Sequence, residues 1–204
     1  FNMADLDLDG NLTSSEFNYI KNYPHEAEEE CELIPYGHCS GENFDQQDLS
    51  EINLTGIDLS HANLTADLRN TNLNGADLRD ASLQNADLTN ANLTNADLRG
   101  ANLNGADLTN ANLTNADLRG ASIKNADLTN ANLTNADLRS TNLCNTKLSH
   151  ANLYSAHLYN SNLCGADLSR ADFTDASVTN ADFTNTYWEQ TVWTDGVAYD
   201  ENQA

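Results

Sequence analysis

Basic residues are scarce: nine Lys and Arg stand against 31 Asp and Glu over 204 residues, a formal charge of -22. This balance excludes a chain that grips nucleic acid through a cationic surface, because phosphate binding rests on neutralisation by Lys and Arg. Long apolar runs are missing too. No stretch of 18 apolar residues occurs, so no segment has the length of a membrane-spanning helix. There is no Ser/His/Asp set, Gly-rich phosphate loop or metal-hydrolase motif, and the histidines at 25, 38, 61, 150 and 157 fall on separate segments. The expected class is therefore non-enzymatic, without a small-molecule substrate. The chain opens at Phe1 with no initiator Met and no signal-like segment, which reads as a processed form or a fragment.

What the chain does have is repetition. One fourteen-residue string stands unchanged at 86–99, 106–119 and 126–139, each copy starting twenty residues after the last. Within that period an apolar residue recurs every five residues, from Leu68, Leu73 and Leu78 onward to Phe183. A period of five walks around a helix and leaves no coherent face, so the helix reading fails. As a short strand, each five puts its small residue and its leucine on one side and its polar residues on the other, and the Asn or Gly that follows supplies a turn. A unit this short cannot bury its own core. Each must lean on the next, and the chain is a solenoid.

The Ala-Asp/Asn-Leu-x-x unit resembles the motif of the pentapeptide-repeat family. The resemblance runs unbroken over 66–185 and extends upstream through Leu64, Leu59, Leu54, Leu49 and Phe44. It implies an all-β solenoid: a right-handed quadrilateral parallel β-helix with one pentapeptide per side, about seven coils here, behind a small N-terminal calcium-binding segment. Leu64 and Leu68 are only four apart, so a corner residue is missing near Thr65 and Ala66 and one turn is expected to be pinched. The expected organisation is a calcium-binding segment at 1–24, a cysteine-containing linker or cap at 25–43, the β-helix at 44–194 and a polar tail at 195–204.

The first segment carries an EF-hand-like loop, with Asp5, Asp7, Asp9, Asn11, Thr13 and Glu16 at ligand spacing and Gly10 at the sharp turn. A hard divalent cation wants six to eight oxygens, which makes Ca²⁺ the expected cofactor. Only four residues precede Asp5, so either the start of the entering helix has been cut away, with or without a partner EF-hand, or this is a half-hand of low affinity. The four cysteines fall into two pairs. Cys31 and Cys39 bracket a short loop, and Cys144 and Cys164 are twenty apart, hence stacked on adjacent coils about 4.8 Å apart and within disulfide range. A metal site formed by the first pair with His25 and His38 is one alternative, and free thiols are another. Two disulfides favour an extracytoplasmic home, whether secreted, cell-surface, periplasmic or lumenal.

Residues twenty apart stack into columns. Asp77, Asp97, Asp117 and Asp137 are each followed two residues on by Arg79, Arg99, Arg119 and Arg139, a self-neutralising side. Asp67, Asp87, Asp107 and Asp127 share a side with Arg69 as its cation, and like charges one strand spacing apart repel. A neutral ladder of Asn72, Asn92, Asn112, Asn132 and Asn152 forms a third. Asn92, Asn112 and Asn132 also head Asn-Leu-Thr glycosylation acceptors, although the repeat itself forces the pattern. His150, Tyr154, His157 and Tyr159 make a contact patch. At the C-terminal end Trp188 and Trp193 take leucine positions, with Tyr187 beside them, as a plug for the last coil or a joint to another subunit. Two functions stay open. One is a calcium-stabilised structural spacer, filament or adhesion module, acting through a protein partner or self-association at the solenoid ends. The other, implied by the resemblance, is a DNA-mimicking protein that binds a type II topoisomerase.

Overall fold

Two compact units, Phe1–Glu30 and Cys31–Ala204, make up the chain, and the computed structural model describes residues 31–199. The predicted calcium ligands Asp5, Asp7, Asp9, Asn11, Thr13 and Glu16 lie outside the described residues, as do 200–204. No helix among the described residues is long and apolar enough to cross a membrane.

The second unit is a four-sided parallel β-helix. Successive coils begin their first side at His38, Asp58, Asp77, Asp97, Asp117, Asp137, His157 and Ser177, each bridged in parallel to the next. Eight coils therefore stack, against about seven expected. The difference from the expected start at 44 is one side, 38–42, inside the stretch read as a linker, where Cys39 fills the leucine position and is 1% exposed. At about 4.8 Å per coil the stack is roughly 38 Å tall. A side is too short to form an extended strand, since a single bridged residue lies between two turns, so the ladder consists of isolated bridges.

Each five builds the same turn. The outward Asp or Asn lends its side-chain oxygen to the amide two residues on, as Asn92 does to Thr94 at 3.2 Å and Asp87 to Thr89 at 3.0 Å. The leucine carbonyl then accepts from the next alanine amide, as in Ala96 N to Leu93 O at 3.0 Å. The corner residue adopts left-handed backbone angles, φ 58° at Asn90 and Asn95 and 70° at Gly100. Asn and Gly tolerate that region best, which is why they fill the corners. The corner amide meanwhile reaches the next coil, Asn90 N to Thr109 O at 3.0 Å.

Leucines and alanines point inward along the whole stack, and Leu73 to Leu168 are almost entirely shielded from solvent. Where Thr or Ser takes an alanine position, its hydroxyl donates to a leucine carbonyl: Thr71 to Leu49, Thr141 to Leu118, Thr191 to Leu168. Among the described residues no buried side-chain N or O is left without a partner, as a stack this regular requires.

The C-terminal end departs from the beat. Two short strands, β1 (Thr191–Val192) and β2 (Ala198–Tyr199), pair antiparallel, so the first residues of the expected polar tail fold back along the last side. Phe173, Phe183, Trp188 and Trp193 pack beneath, with ring centroids 4.8 to 6.1 Å apart.

Candidate functional site

The regular backbone leaves four flat sides whose outward residues decide what the protein can touch. On the charge-paired side each arginine holds the aspartate of its own coil, and Arg79, Arg99 and Arg119 also reach the aspartate of the next. Arg99 Nη2 is 2.6 Å from Asp97 and its Nε 3.7 Å from Asp117, and Arg119 repeats this with Asp117 at 2.6 Å and Asp137 at 3.6 Å. The hydrogen bond from Arg79 holds the Asp77 carboxyl below its ordinary range. At Asp117 burial pulls upward, but the Arg119 side chain, the Arg119 amide and its positive charge outweigh it and the net shift is down. Asp137 follows the same rule with Arg139.

A depressed carboxyl contributes stability above its unfolded pKa and loses it as pH falls through the folded value. The ladder's contribution is therefore complete above about pH 5, begins to fall near pH 4 where free carboxyls protonate, and is lost as the pH drops through the lower values of the paired aspartates. Replacing Arg79, Arg99, Arg119 and Arg139 together by Gln is expected to move the acid unfolding midpoint, followed by circular dichroism, toward neutral pH. Superimposable acid profiles would show that the ladder adds nothing.

The acidic side stacks Asp48, Asp67, Asp87, Asp107 and Asp127. Arg69 bonds Asp67 and lies 3.7 Å from Asp87. Lys147, which replaces aspartate in the next coil, bonds Asp127 at 2.8 Å. That second cation was legible had the twenty-residue register been carried one coil further. The threonines turn inward on the column, Thr89 to Asp87 at 2.6 Å and Thr129 to Asp127 at 2.5 Å. Among the described residues no group of three or more His, Cys, Asp or Glu side chains could hold a metal ion.

The amide side is knitted to itself. Asn92 Nδ2 donates to Asn72 at 3.0 Å, and the side-chain oxygens of Asn92, Asn112 and Asn132 accept from the hydroxyls of Thr94, Thr114 and Thr134 at 2.6 to 2.7 Å. Each of these three acceptor asparagines is half-buried in the ladder, with its side-chain oxygen engaged by the threonine of its own Asn-Leu-Thr triplet. Around the seventh coil His157 stands over Asp137, and Tyr154 and Tyr159, on either side of one corner, are 42% and 44% exposed. At the end of the stack Trp188 is 4% exposed whereas Tyr187 is 58% exposed. Of the three candidate assembly residues, Tyr187 is the exposed one, its hydroxyl donating to Glu189 at 3.3 Å.

Both cysteine pairs are joined, each with Cα atoms 4.7 Å apart. Cys31 and Cys39 are thus not thiolate ligands with His38. Cys144 and Cys164 tie two coils that backbone bonds already join, Leu143 N to Asn162 O at 2.7 Å and Asn145 N to Cys164 O at 2.8 Å. Closing a loop of this size is worth on the order of 3 kcal/mol. Non-reducing peptide mapping is expected to return two cystine peptides, and reduction to lower the thermal midpoint while the coils stay formed; recovery of four alkylatable thiols would count against both bonds.

HetL, a pentapeptide repeat protein involved in heterocyst differentiation regulation from the cyanobacterium Nostoc sp. strain PCC 7120, is 25% identical; the match covers 93% of this chain and 100% of HetL, with a TM-score of 0.46. A second pentapeptide repeat protein from Nostoc is 42% identical over 42% of this chain and 69% of its own, with a TM-score of 0.40. A pentapeptide repeat protein of the Arabidopsis thaliana thylakoid lumen is 33% identical over 54% of this chain and 68% of its own, with a TM-score of 0.28. Among curated proteins nothing matches. The family model for pentapeptide repeats matches successive stretches from 38–65 to 151–187. Its members fold as right-handed quadrilateral β-helices and are generally structural or interaction proteins. Most of the chain is covered by that match, and the protein belongs to the pentapeptide-repeat family.

Proposed function

We propose that the protein is a stiff, non-enzymatic spacer that presents flat polar sides to a protein partner outside the reducing compartments of the cell, with an N-terminal segment ordered by calcium. The observation that carries this reading is the closed C-terminal end. The aromatic plug and the β1–β2 pairing occupy the end on which a following subunit would stack, which suits a single rod better than a filament link. Both disulfides suit an oxidising setting. The calcium part rests on Asp5, Asp7, Asp9 and Glu16, whose mutual repulsion opposes the loop until an ion arrives.

Light scattering tests the spacer. A monomer near 22.2 kDa at every protein concentration, with and without millimolar calcium, is expected; species that lengthen with concentration would restore the filament. Calorimetry tests the ion, with calcium-dependent heat expected for the wild type and lost in Glu16→Gln.

One observation favours a second reading. The acidic side carries a column of five aspartates against Arg69 and Lys147, and an acidic rod can imitate duplex DNA toward a type II topoisomerase. Against it, the opposite side neutralises itself through Arg79, Arg99, Arg119 and Arg139. A gyrase supercoiling assay separates the two: the spacer leaves the enzyme unaffected, and inhibition or quinolone protection would decide for the mimic.

A further inference from the structure

The coil that lacks a residue has left a notch. Across it the bridges step by nineteen, Asp48 to Asp67 and Asn63 to Ser82, before returning to twenty at Asp67 to Asp87. Elsewhere a corner is closed three residues back, as Ala76 N does to Leu73 O; here Ala66 N reaches only two back, to Leu64 O at 2.7 Å. The left-handed corner residue is gone as well. Gln46 (φ 56°) and Asn85 (φ 56°) mark this corner in the coils before and after, and no residue between His61 and Asn70 has a positive φ. The column of corner side chains therefore has one missing member, and the gap is an open depression of about 440 Å³.

Its lining is polar and predominantly acidic. Gln46, Gln47 and Asn85 contribute amides, Asp48, Asp67 and Asp87 carboxylates, and Arg69 the one cation. Arg69 spends its guanidinium on Asp67 and, at 3.7 Å, on Asp87. Asp48 takes only the amide and hydroxyl of Ser50, at 3.0 and 2.6 Å. Three carboxylates share one guanidinium, so the notch keeps a net negative charge beside neutral amides that can accept further hydrogen bonds. Irregularities in an otherwise regular ladder re-aim side chains and gather at functional sites.

We infer that this notch receives a lysine or arginine side chain of a partner protein, with Asp48 and Asp87 meeting its charge and the Gln46, Gln47 and Asn85 carbonyls accepting its remaining N–H groups. The notch admits such a side chain between the coils, whereas the column beyond it continues as Asp107 and Asp127, the latter already bonded by Lys147 at 2.8 Å. The inference rests on reading the rod as an interaction module, and the two fail differently.

A tetralysine peptide titrated into ¹⁵N-labelled protein at low salt is the probe. Shifts centred on residues 46–48, 65–69 and 85–87 are expected. Inserting one Asn between Thr65 and Ala66 restores the five-residue beat and fills the corner, so it is expected to keep the fold and abolish these shifts. Asp87→Asn is expected to weaken binding about fivefold, and Asp107→Asn to change it less than about twofold. Equal binding by the insertion variant, or equal losses from both Asp substitutions, would mean diffuse attraction to the acidic side, which overturns the notch and leaves the interaction module standing. No binding by the wild type overturns the notch outright.

Discussion

Leu113→Ala is expected to be the most damaging conservative change in the stack, lowering stability by about 3–4 kcal/mol. Leu113 is fully buried, and the leucines twenty residues away on either side, Leu93 and Leu133, are buried too. The hole it leaves cannot collapse, because the backbone around it is fixed by the inter-coil bonds Leu113 N to Asn132 O and Leu93 N to Asn112 O, both 2.7 Å. A solenoid communicates only with its neighbours, so the damage stays local. Hydrogen exchange should show lost protection in the coils flanking residue 113 and near-native protection near Leu64 and Leu163. Thr114→Ala next door removes only a half-buried surface hydroxyl contact to Asn112 and is expected to cost less than about 1 kcal/mol. If the two variants lose stability equally, or if protection falls along the whole stack, the picture of independent leucine layers is wrong.

The same layers explain what could be read from the residues in advance. A leucine every five positions, most often with Asn or Gly two after it, states both the inward side and the corner, since those two tolerate positive φ best; the corners stand at Asn85, Asn90 and Asn95, and the repeat imposes the same angles on Ser140, His150, Ser155 and Arg170. The four-residue step between Leu64 and Leu68 foretold the pinch, but not the notch. A depression depends on what the neighbouring coils keep, here Gln46 and Asn85, and that is visible only once coils are stacked. The first side of the first coil was illegible for another reason: Gly37-His38-Cys39 carries no Ala-x-Leu signature, and Cys39 fills the core in leucine's place while bonded to Cys31. At the far end Ala198 and Tyr199 sit in a polar stretch with no alternation, and their pairing with Thr191 and Val192 is imposed by the exposed edge of the last coil. Columns of charge could be listed from the sequence; the inward turn of Thr89 and Thr129 onto the aspartates could not.

Replacing Trp188 and Trp193 together by Ala is expected to open the C-terminal end and turn a monomer into a self-associating chain. Trp188 is 4% exposed, stacks 4.8 Å from Trp193 and 5.9 Å from Phe183, and donates its indole N–H to Thr186 at 2.6 Å. Trp193 lies over Phe173 at 5.5 Å and shapes the return of the chain, its amide bonded to Val197 O at 2.8 Å and its carbonyl to Gly196 N at 2.9 Å. Each truncation alone costs about 3–5 kcal/mol of local packing. Without both indoles β2 has nothing to hold it against β1, and the last coil frays back toward Phe173. That fraying uncovers the leucines below and the unpaired backbone groups of an open coil, the kind of edge on which another chain adds. The variant should therefore lose its near-ultraviolet aromatic signal and its outermost exchange protection, keep the far-ultraviolet spectrum of the remaining coils, and grow in light scattering with concentration while the wild type does not. The opposite pattern is equally readable: a wild type that lengthens with concentration and a double variant that returns to monomer would make the aromatics a joint between subunits. In that event the end would be where the protein assembles, and the spacer reading would give way to the filament.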